Sequence, residues 1–446
     1  MYRQTVVFLI FFFVALGIRL YQLGSEGFDL DELASVYFSQ SPFSVMIQDT
    51  NPSGYSLFLK VYGSMFSLDE MVMRLPGVLF SSLACGVLGV FGFGLSSFWG
   101  VMPGVIMAFH PLSVDLARTV RPYGLLVLIF VLFFLFWSKG RRRLAFFLSV
   151  TAFCFHWMGG FLALGLVLEW IWRRDHLSNW KRALLCAVFV GAFLVAAGLM
   201  ISQLSFHLDW QALRYQATPF FQDLGKTISQ LMGLNSIWMG FIFFSFVLWR
   251  SVFKEKSKGF VLFALLPMGI LLLLQVTFEK SFFLPRYLFL TGPVLMIFLV
   301  RSFALQVPGR WLGALMLCVF VALELQSLPE IYTQKEPSWK DALTLAAQGQ
   351  RGPIFTTRSL AIRVYGDPLG LEIFPFKGLE SEIEMIFGNV NSYGSTWMID
   401  NYLGSLTYWG SLKAEATIKG YKIHEYYFKG HPEFNGIRLM ELKRDR

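Results

Sequence analysis

The chain has 446 residues, 55% of them hydrophobic and 17% aromatic, with 48 phenylalanines, whereas charged residues make up only 15%. That is the balance of a polytopic membrane protein rather than of a soluble domain. The formal charge is +9, but residues 330–446 hold 14 Lys/Arg against 14 Asp/Glu, so the whole excess belongs to residues 1–329. Basic residues flanking membrane spans account for an excess placed there, and nucleic acid is not an expected partner.

In chain order, Arg3 precedes the apolar run "TVVFLIFFFVALGIRLYQL". The run resembles a signal peptide but lacks a small-residue cleavage site, so it is expected to remain as the first span. "SEGFDLDELASVYFSQ" (25–40) then gathers four carboxylates, Glu26, Asp29, Asp31 and Glu32. "ELASVYFSQSPFSVMI" has the pattern of an amphipathic interfacial helix, whose start would hold Asp29 or Asp31 at the membrane surface. An oriented, partly dehydrated carboxylate there can serve as a general base towards an acceptor hydroxyl. Two neighbouring carboxylates could also hold a divalent cation, although fewer than three ligands converge. A solvated acidic loop is the plain alternative.

"NPSGY" (51–55) has turn chemistry, and a second interfacial helix is expected from Gly54, carrying Tyr55, Phe58 and Tyr62. "RLP" opens a span, with Arg74 at the water boundary and Pro76 in a first helical turn. "DLARTVRPYGLL" brings Arg118, Arg121 and Tyr123 to a helix start, where backbone N–H groups favour anions. Both arginines could equally snorkel to lipid phosphates. His156 lies in "FCFHWMGG", where a polar group inside an apolar run is costly, unless the sequence turns there and the ring is wet. "FEKSFFLPRYLFLTGP" adds Glu279, Lys280 and Arg286 before another span.

Eleven spans are expected: 5–23, 75–95, 98–114, 122–138, 144–156, 158–172, 183–203, 233–250, 259–278, 287–300 and 311–328, with a tight turn at "HWMGG" between the two short ones. With the N-terminus in the cytoplasm, the clusters at 138–143, 173–182, 250–259 and 301–310 all fall inside. The acidic loop 24–74, the segments 113–123, 204–232 and 278–287, and the tail 330–446 then lie outside. In the tail, helix-like "SWKDALTLAAQG" alternates with strand-like "GPIFTT", "STWMID", "YKIHEYYF" and "GIRLMEL", which predicts a small external α/β domain. The expected organisation is a membrane domain over 1–329 and a soluble one over 330–446. Cys85, Cys154, Cys186 and Cys318 sit in apolar runs without metal spacing and are expected to be small buried hydrophobes. No Walker loop, dinucleotide fingerprint, zinc spacing or nucleophile elbow occurs, so no metal site or cofactor is assigned.

In this order, "DLDEL", "NPSGYSLF", "RLPGVLF", "TVRPYGLL", "FHWMGG" and "PRYLFLTGP" resemble the GT-C superfamily of integral-membrane glycosyltransferases, in particular the branch of protein O-mannosyltransferases and lipid A aminoarabinose transferases. The resemblance covers about residues 5–328. Asn51 and Ser53 stand where relatives often have His and Pro, and "TVRPY" lacks the usual Ala before Arg. The resemblance implies a GT-C type fold in a cell (inner or plasma) membrane and transfer of a hexosyl or pentosyl group, with inversion. The donor would be a polyprenyl-phosphate-linked sugar, and the acceptor hydroxyl would belong to a glycan, lipid or protein on the external, periplasmic side. Asp31 would be the base, Glu32 would orient it or bind sugar, and Asp29 is the competing acid. Arg121 and Arg286, with Arg118 or Lys280, would hold the donor phosphate. Asn51, Tyr55, Arg74, Tyr123 and His156 would line the substrate site. A transporter or flippase of lipid-linked sugars would also want external arginines, but no inverted repeat is evident. A structural membrane protein displaying an external domain would leave the arginines and acidic loop unexplained.

Overall fold

A computed structural model describes residues 2–172 apart from 48, 50 and 96–98, most of 338–444, and scattered positions between 178 and 332. The expected spans beyond residue 172 lie essentially outside the described residues. In order come α1 (Tyr2–Leu20), α2 (Leu30–Gln40), the single turn α3 (Phe43–Met46), α4 (Gly54–Met65) and α5 (Glu70–Leu95). They are followed by α6 (Met102–Phe109), α7 (Pro111–Ala117), α8 (Tyr123–Ser138), α9 (Arg142–Phe155) and α10 (Gly159–Trp172). The tail adds α11 (Trp339–Gln348), β1 (Ile354–Thr356), α12 (Ser359–Gly366), β2 (Ile373–Pro375), α13 (Glu380–Tyr393), β3 (Ser395–Asn401), α14 (Leu406–Ile418), β4 (Tyr421–Phe428) and β5 (Ile437–Arg444). The chain divides into two compact units: Met1–Tyr21, Asp49–Tyr55 and Arg74–Ile331 form one, and Gln22–Gln48, Ser56–Met73 and Tyr332–Arg446 form the other. The acidic segment thus groups with the tail.

Among the described residues, Tyr2–Leu20 and Glu70–Phe93 are long and apolar enough to cross a membrane. The outer face of α1 presents Leu9, Ile10 and Phe13, and that of α9 presents Phe146, Phe147 and Phe153. Apolar faces of that kind are an anomaly in water and ordinary against hydrocarbon. Cys154 lies exposed on α9, contrary to the expectation that it is buried, whereas Cys85 is buried as expected. In lipid an apolar thiol on a helix surface carries no penalty, so burial does not follow from its apolar neighbours.

The expected span 98–114 is not one helix. A 3-10 turn (Trp99–Val101) leads into α6, which stops at His110, and α7 restarts at Pro111. Proline has no N–H to continue the ladder and drives the residue before it out of the α region, as the His110 ψ of 119° records. Eight residues of helix rise only about 12 Å, less than half of a bilayer core. By contrast α9 and α10 meet in a turn at His156–Met158, where "HWMGG" was expected to reverse the chain.

The buried guanidinium of Arg19 ties this unit together. It donates to Ser81 Oγ (3.1 Å), Ser113 Oγ (2.8 Å) and the carbonyls of Ala15 (3.3 Å), Met107 (3.0 Å) and Ala108 (3.1 Å), joining α1, α5, α6 and α7. A charge this deep is tolerable because its N–H groups are matched by oxygens.

In the second unit the strand order is β2-β1-β3-β5-β4, with β1 parallel to β2 and β3, and β5 antiparallel to β3 and β4. β1, β3, β4 and β5 lie in the four alternating stretches of the tail. β2 is three residues long and ends in Pro375, which hides it from pattern reading. Phe355, Met398, Met440 and Leu442 point to one face of the sheet, where they pack on Ile383, Ile386, Phe387 and Val390 of α13 and Leu412 and Ala416 of α14. α12 packs against β2 on one side and along α2 on the other, so the acidic helix docks on the sheet unit.

Candidate active site

The acidic segment forms its helix by a local rule. Asp29 is the N-cap of α2: its Oδ1 accepts the Glu32 N–H at 2.6 Å, and Glu32 Oε2 accepts the Asp29 N–H at 2.9 Å. This capping box pairs two amides that a helix start otherwise leaves without intrahelical partners. Glu32 is only 1% exposed, and its carboxylate faces back onto the helix end. Asp31, half-buried in the first turn, lies outside the box. Its backbone carbonyl accepts the Ser35 hydroxyl at 3.1 Å. At the other end Lys60 Nζ of α4 donates to the Ser41 carbonyl at 2.8 Å, so α2 and α4 hold each other.

In the first unit, four of the motifs converge. Gly77 of "RLPG" meets Gly124 of "RPYG" so closely that a Cβ on Gly124 would stand 2.3 Å from the Gly77 carbonyl oxygen. A Cβ on Gly54 of "NPSGY" would likewise stand 2.3 Å from the Cys154 carbonyl oxygen, which lays that turn against the end of α9. The Tyr123 and His156 ring centres lie 5.9 Å apart with the planes tilted by 46°. These contacts join the motifs to one another; of the expected site residues in them, Tyr55, Arg74, Tyr123 and His156 are buried and Asn51 and Arg121 half-buried. His156 ends α9, and its Nδ1 accepts the Met158 N–H at 3.1 Å. Arg118 uses Nη1 on the carbonyls of Tyr21 and Arg19, at the C-terminal end of α1. A cation there complements the helix dipole as well as its last carbonyls.

No family model matches the chain, and no curated protein matches it in sequence. Among solved structures it is similar to ArnT from Cupriavidus metallidurans bound to undecaprenyl phosphate, with a TM-score of 0.58 and 14% identity over 97% of each chain. The apo state of the same protein gives a TM-score of 0.55 with the same identity and coverage. The chain has the ArnT fold. At 14% identity the likeness is one of fold.

Within this ArnT-like fold, Lys280 and Arg286 lie outside the described residues. Among the described residues no group of three or more His, Cys, Asp or Glu gathers in a way that could hold a metal ion. The sequence reading missed the groups that hold the acidic helix to the sheet unit. The Tyr365 hydroxyl accepts the Phe28 N–H at 2.6 Å and donates to Glu70 Oε1 at 3.0 Å, while Lys340 Nζ reaches the same oxygen at 2.9 Å. Burial pushes the Tyr365 phenol well above the usual tyrosine range; the Phe28 N–H opposes the rise and the Glu70 carboxylate adds to it. Nothing local in "RVYGDPLG" marks Tyr365, because its partners lie hundreds of residues away. The capping box was missed too, although Asp29 followed three residues later by Glu32 at the start of a helical pattern is its signature.

Proposed function

We propose that the protein transfers a sugar from a polyprenyl-phosphate carrier to an acceptor hydroxyl at the external face of a cell membrane, with inversion at C1. The observation that carries this reading is the ArnT fold over 97% of the chain, one of those ArnT structures being bound to undecaprenyl phosphate. The proposal extends to eleven crossings, the third made jointly by the short helices α6 and α7, a cytoplasmic N-terminus, an external sheet-bearing tail, and a hexosyl or pentosyl donor with a glycan, lipid or protein acceptor.

In the proposed reaction Asp31 takes the proton of the acceptor hydroxyl as its oxygen attacks C1. The C1–O bond to phosphate breaks, and polyprenyl phosphate leaves with the electron pair. The choice of Asp31 is supported by the commitment of Asp29 and Glu32 to the capping box, which leaves them holding the helix start. Arg121 and Arg286, aided by Lys280 or Arg118, neutralise the phosphate as the bond lengthens, the largest type of contribution in such transfers. A phosphate leaves more readily than an alkoxide, so the general acid that an inverting glycosidase requires is dispensable. Asn51, Tyr55, Arg74, Tyr123 and His156 would shape the substrate site from the convergent motifs of the first unit. A long prenyl tail suits a groove between spans, each buried CH₂ contributing about 0.8 kcal/mol.

The test is incubation of purified protein with radiolabelled polyprenyl-phosphate sugars and a crude envelope acceptor, comparing wild type with Asp31→Asn. Transfer by the wild type and a loss of about 100-fold or more in the variant are expected. Equal transfer by both proteins would remove Asp31 from the chemistry.

A further inference from the structure

The tail and the acidic helix share a polar latch that the proposed chemistry leaves unused. Tyr365 sits near the end of α12, Lys340 in the first turn of α11, Glu70 at the start of α5 and Phe28 one residue before the N-cap of α2. All four belong to the second unit. The Tyr365 hydroxyl is both acceptor, from the Phe28 amide, and donor, to Glu70. Its ring stacks on the buried Phe28 ring at 5.9 Å with 19° between planes, and Lys340 Nζ stands 5.9 Å from the centre of the tyrosine ring while it pairs with Glu70. Gly27 lies flat on this group: a Cβ there would be 3.3 Å from the Tyr365 oxygen and 3.6 Å from Lys340 Cβ.

An isolated helix of 11 residues, the length of α2, is marginal at best, so its position must come from what it packs on. Packing of α2 along α12 buries apolar surface, which is not directional. The Phe28 amide bond is directional, and it acts on the residue next to the capping box. Resting on the transferase reading above, we infer that Tyr365, supported by Lys340 and Glu70, is a positioning residue for transfer: the tail orients the helix start that carries Asp31. The tail is then part of the catalytic scaffold. Tyr365 touches neither substrate nor the reacting atoms; it acts through Phe28 and the first turn of α2. A base displaced by about 1 Å can lose two orders of magnitude in rate, so a loosened helix start lowers kcat more than donor affinity.

The experiment uses the full chain in lipid nanodiscs. Tyr365→Phe keeps the ring stack and removes both hydrogen bonds; Lys340→Met loosens Glu70; Tyr393→Phe, exposed on α13, is the control. Expected for Tyr365→Phe are a fall in kcat of about tenfold or more with donor KM within about twofold, and amide exchange at residues 28–33 faster by about tenfold, with β3 and β5 unchanged. Lys340→Met should move the same readouts less, and Tyr393→Phe none of them. If wild type transfers sugar, Asp31→Asn does not, and Tyr365→Phe keeps its kcat, the inference is overturned while the proposed function stands. If wild type transfers nothing, the proposed function fails and the positioning role with it. Unchanged exchange at 28–33 in Tyr365→Phe overturns the latch regardless of activity.

Discussion

Asp29 and Asp31 are two residues apart; Asp29 caps the start of α2, and Asp31 is the proposed base. Asp29→Asn replaces a carboxylate by an amide whose oxygen can still accept the Glu32 N–H, now held at 2.6 Å. Asn and Asp are about equally good N-caps, so the loss is confined to the charge at the helix N-terminus, about 0.3–1 kcal/mol. Asp29→Ala removes the acceptor altogether and leaves the Glu32 amide of a buried residue without its cap, a cost of about 1–2 kcal/mol. Transfer kinetics and thermal unfolding in detergent, measured on both variants, separate the roles. Asp29→Asn should transfer within about threefold of wild type with nearly unchanged melting, whereas Asp29→Ala should melt lower and lose activity in step with stability. A fall of about 100-fold in Asp29→Asn with unchanged melting would refute the reasoning and make Asp29 the base.

Further outcomes follow from the packing. Gly124→Ala would drive a methyl to 2.3 Å from the Gly77 carbonyl oxygen, and is expected to cost about 1–3 kcal/mol and to lower transfer by parting two motifs; an unchanged melting curve would contradict the close contact. Glu169 accepts the Trp137 indole N–H at 2.6 Å and Arg142 Nη2 at 2.9 Å, pinning α8, α9 and α10. Glu169→Ala should cost about 1–3 kcal/mol and Glu169→Gln clearly less, by denaturant titration in micelles. Because the Tyr365 phenol is pushed up in the fold, it adds stability that is intact below the unfolded value of about 10 and is lost as pH rises beyond it. Melting of wild type should therefore fall more steeply above about pH 10 than melting of Tyr365→Phe.

What the sequence made legible was local or compositional. The turn at "HWMGG", the helix from Gly54, and the strands in "STWMID" and "YKIHEYYF" follow from turn chemistry and alternation, which neighbours decide. The break at His110–Pro111 was local too, but a long apolar run masked a proline that the helix could not absorb. Nothing local in the apolar run marks Arg19 as a buried anchor; only the folded unit brings Ser81, Ser113 and two carbonyls of α6 to its N–H groups. The same limit hid Tyr365, whose partners Phe28 and Glu70 lie 337 and 295 residues away. The close approaches at Gly54, Gly77 and Gly124 are contacts that no larger residue would permit, and they join stretches far apart in the chain.

The central claim is that a sugar changes covalent partner and is not merely moved. The most direct measurement follows a polyprenyl-phosphate sugar labelled in both sugar and phosphate, in liposomes holding the purified protein, with external acceptor present. The account predicts labelled sugar on the acceptor in one anomeric configuration, opposite to that of the donor, with one free polyprenyl phosphate released per sugar. Intact donor crossing the bilayer with no sugar on any acceptor would contradict it and identify a flippase.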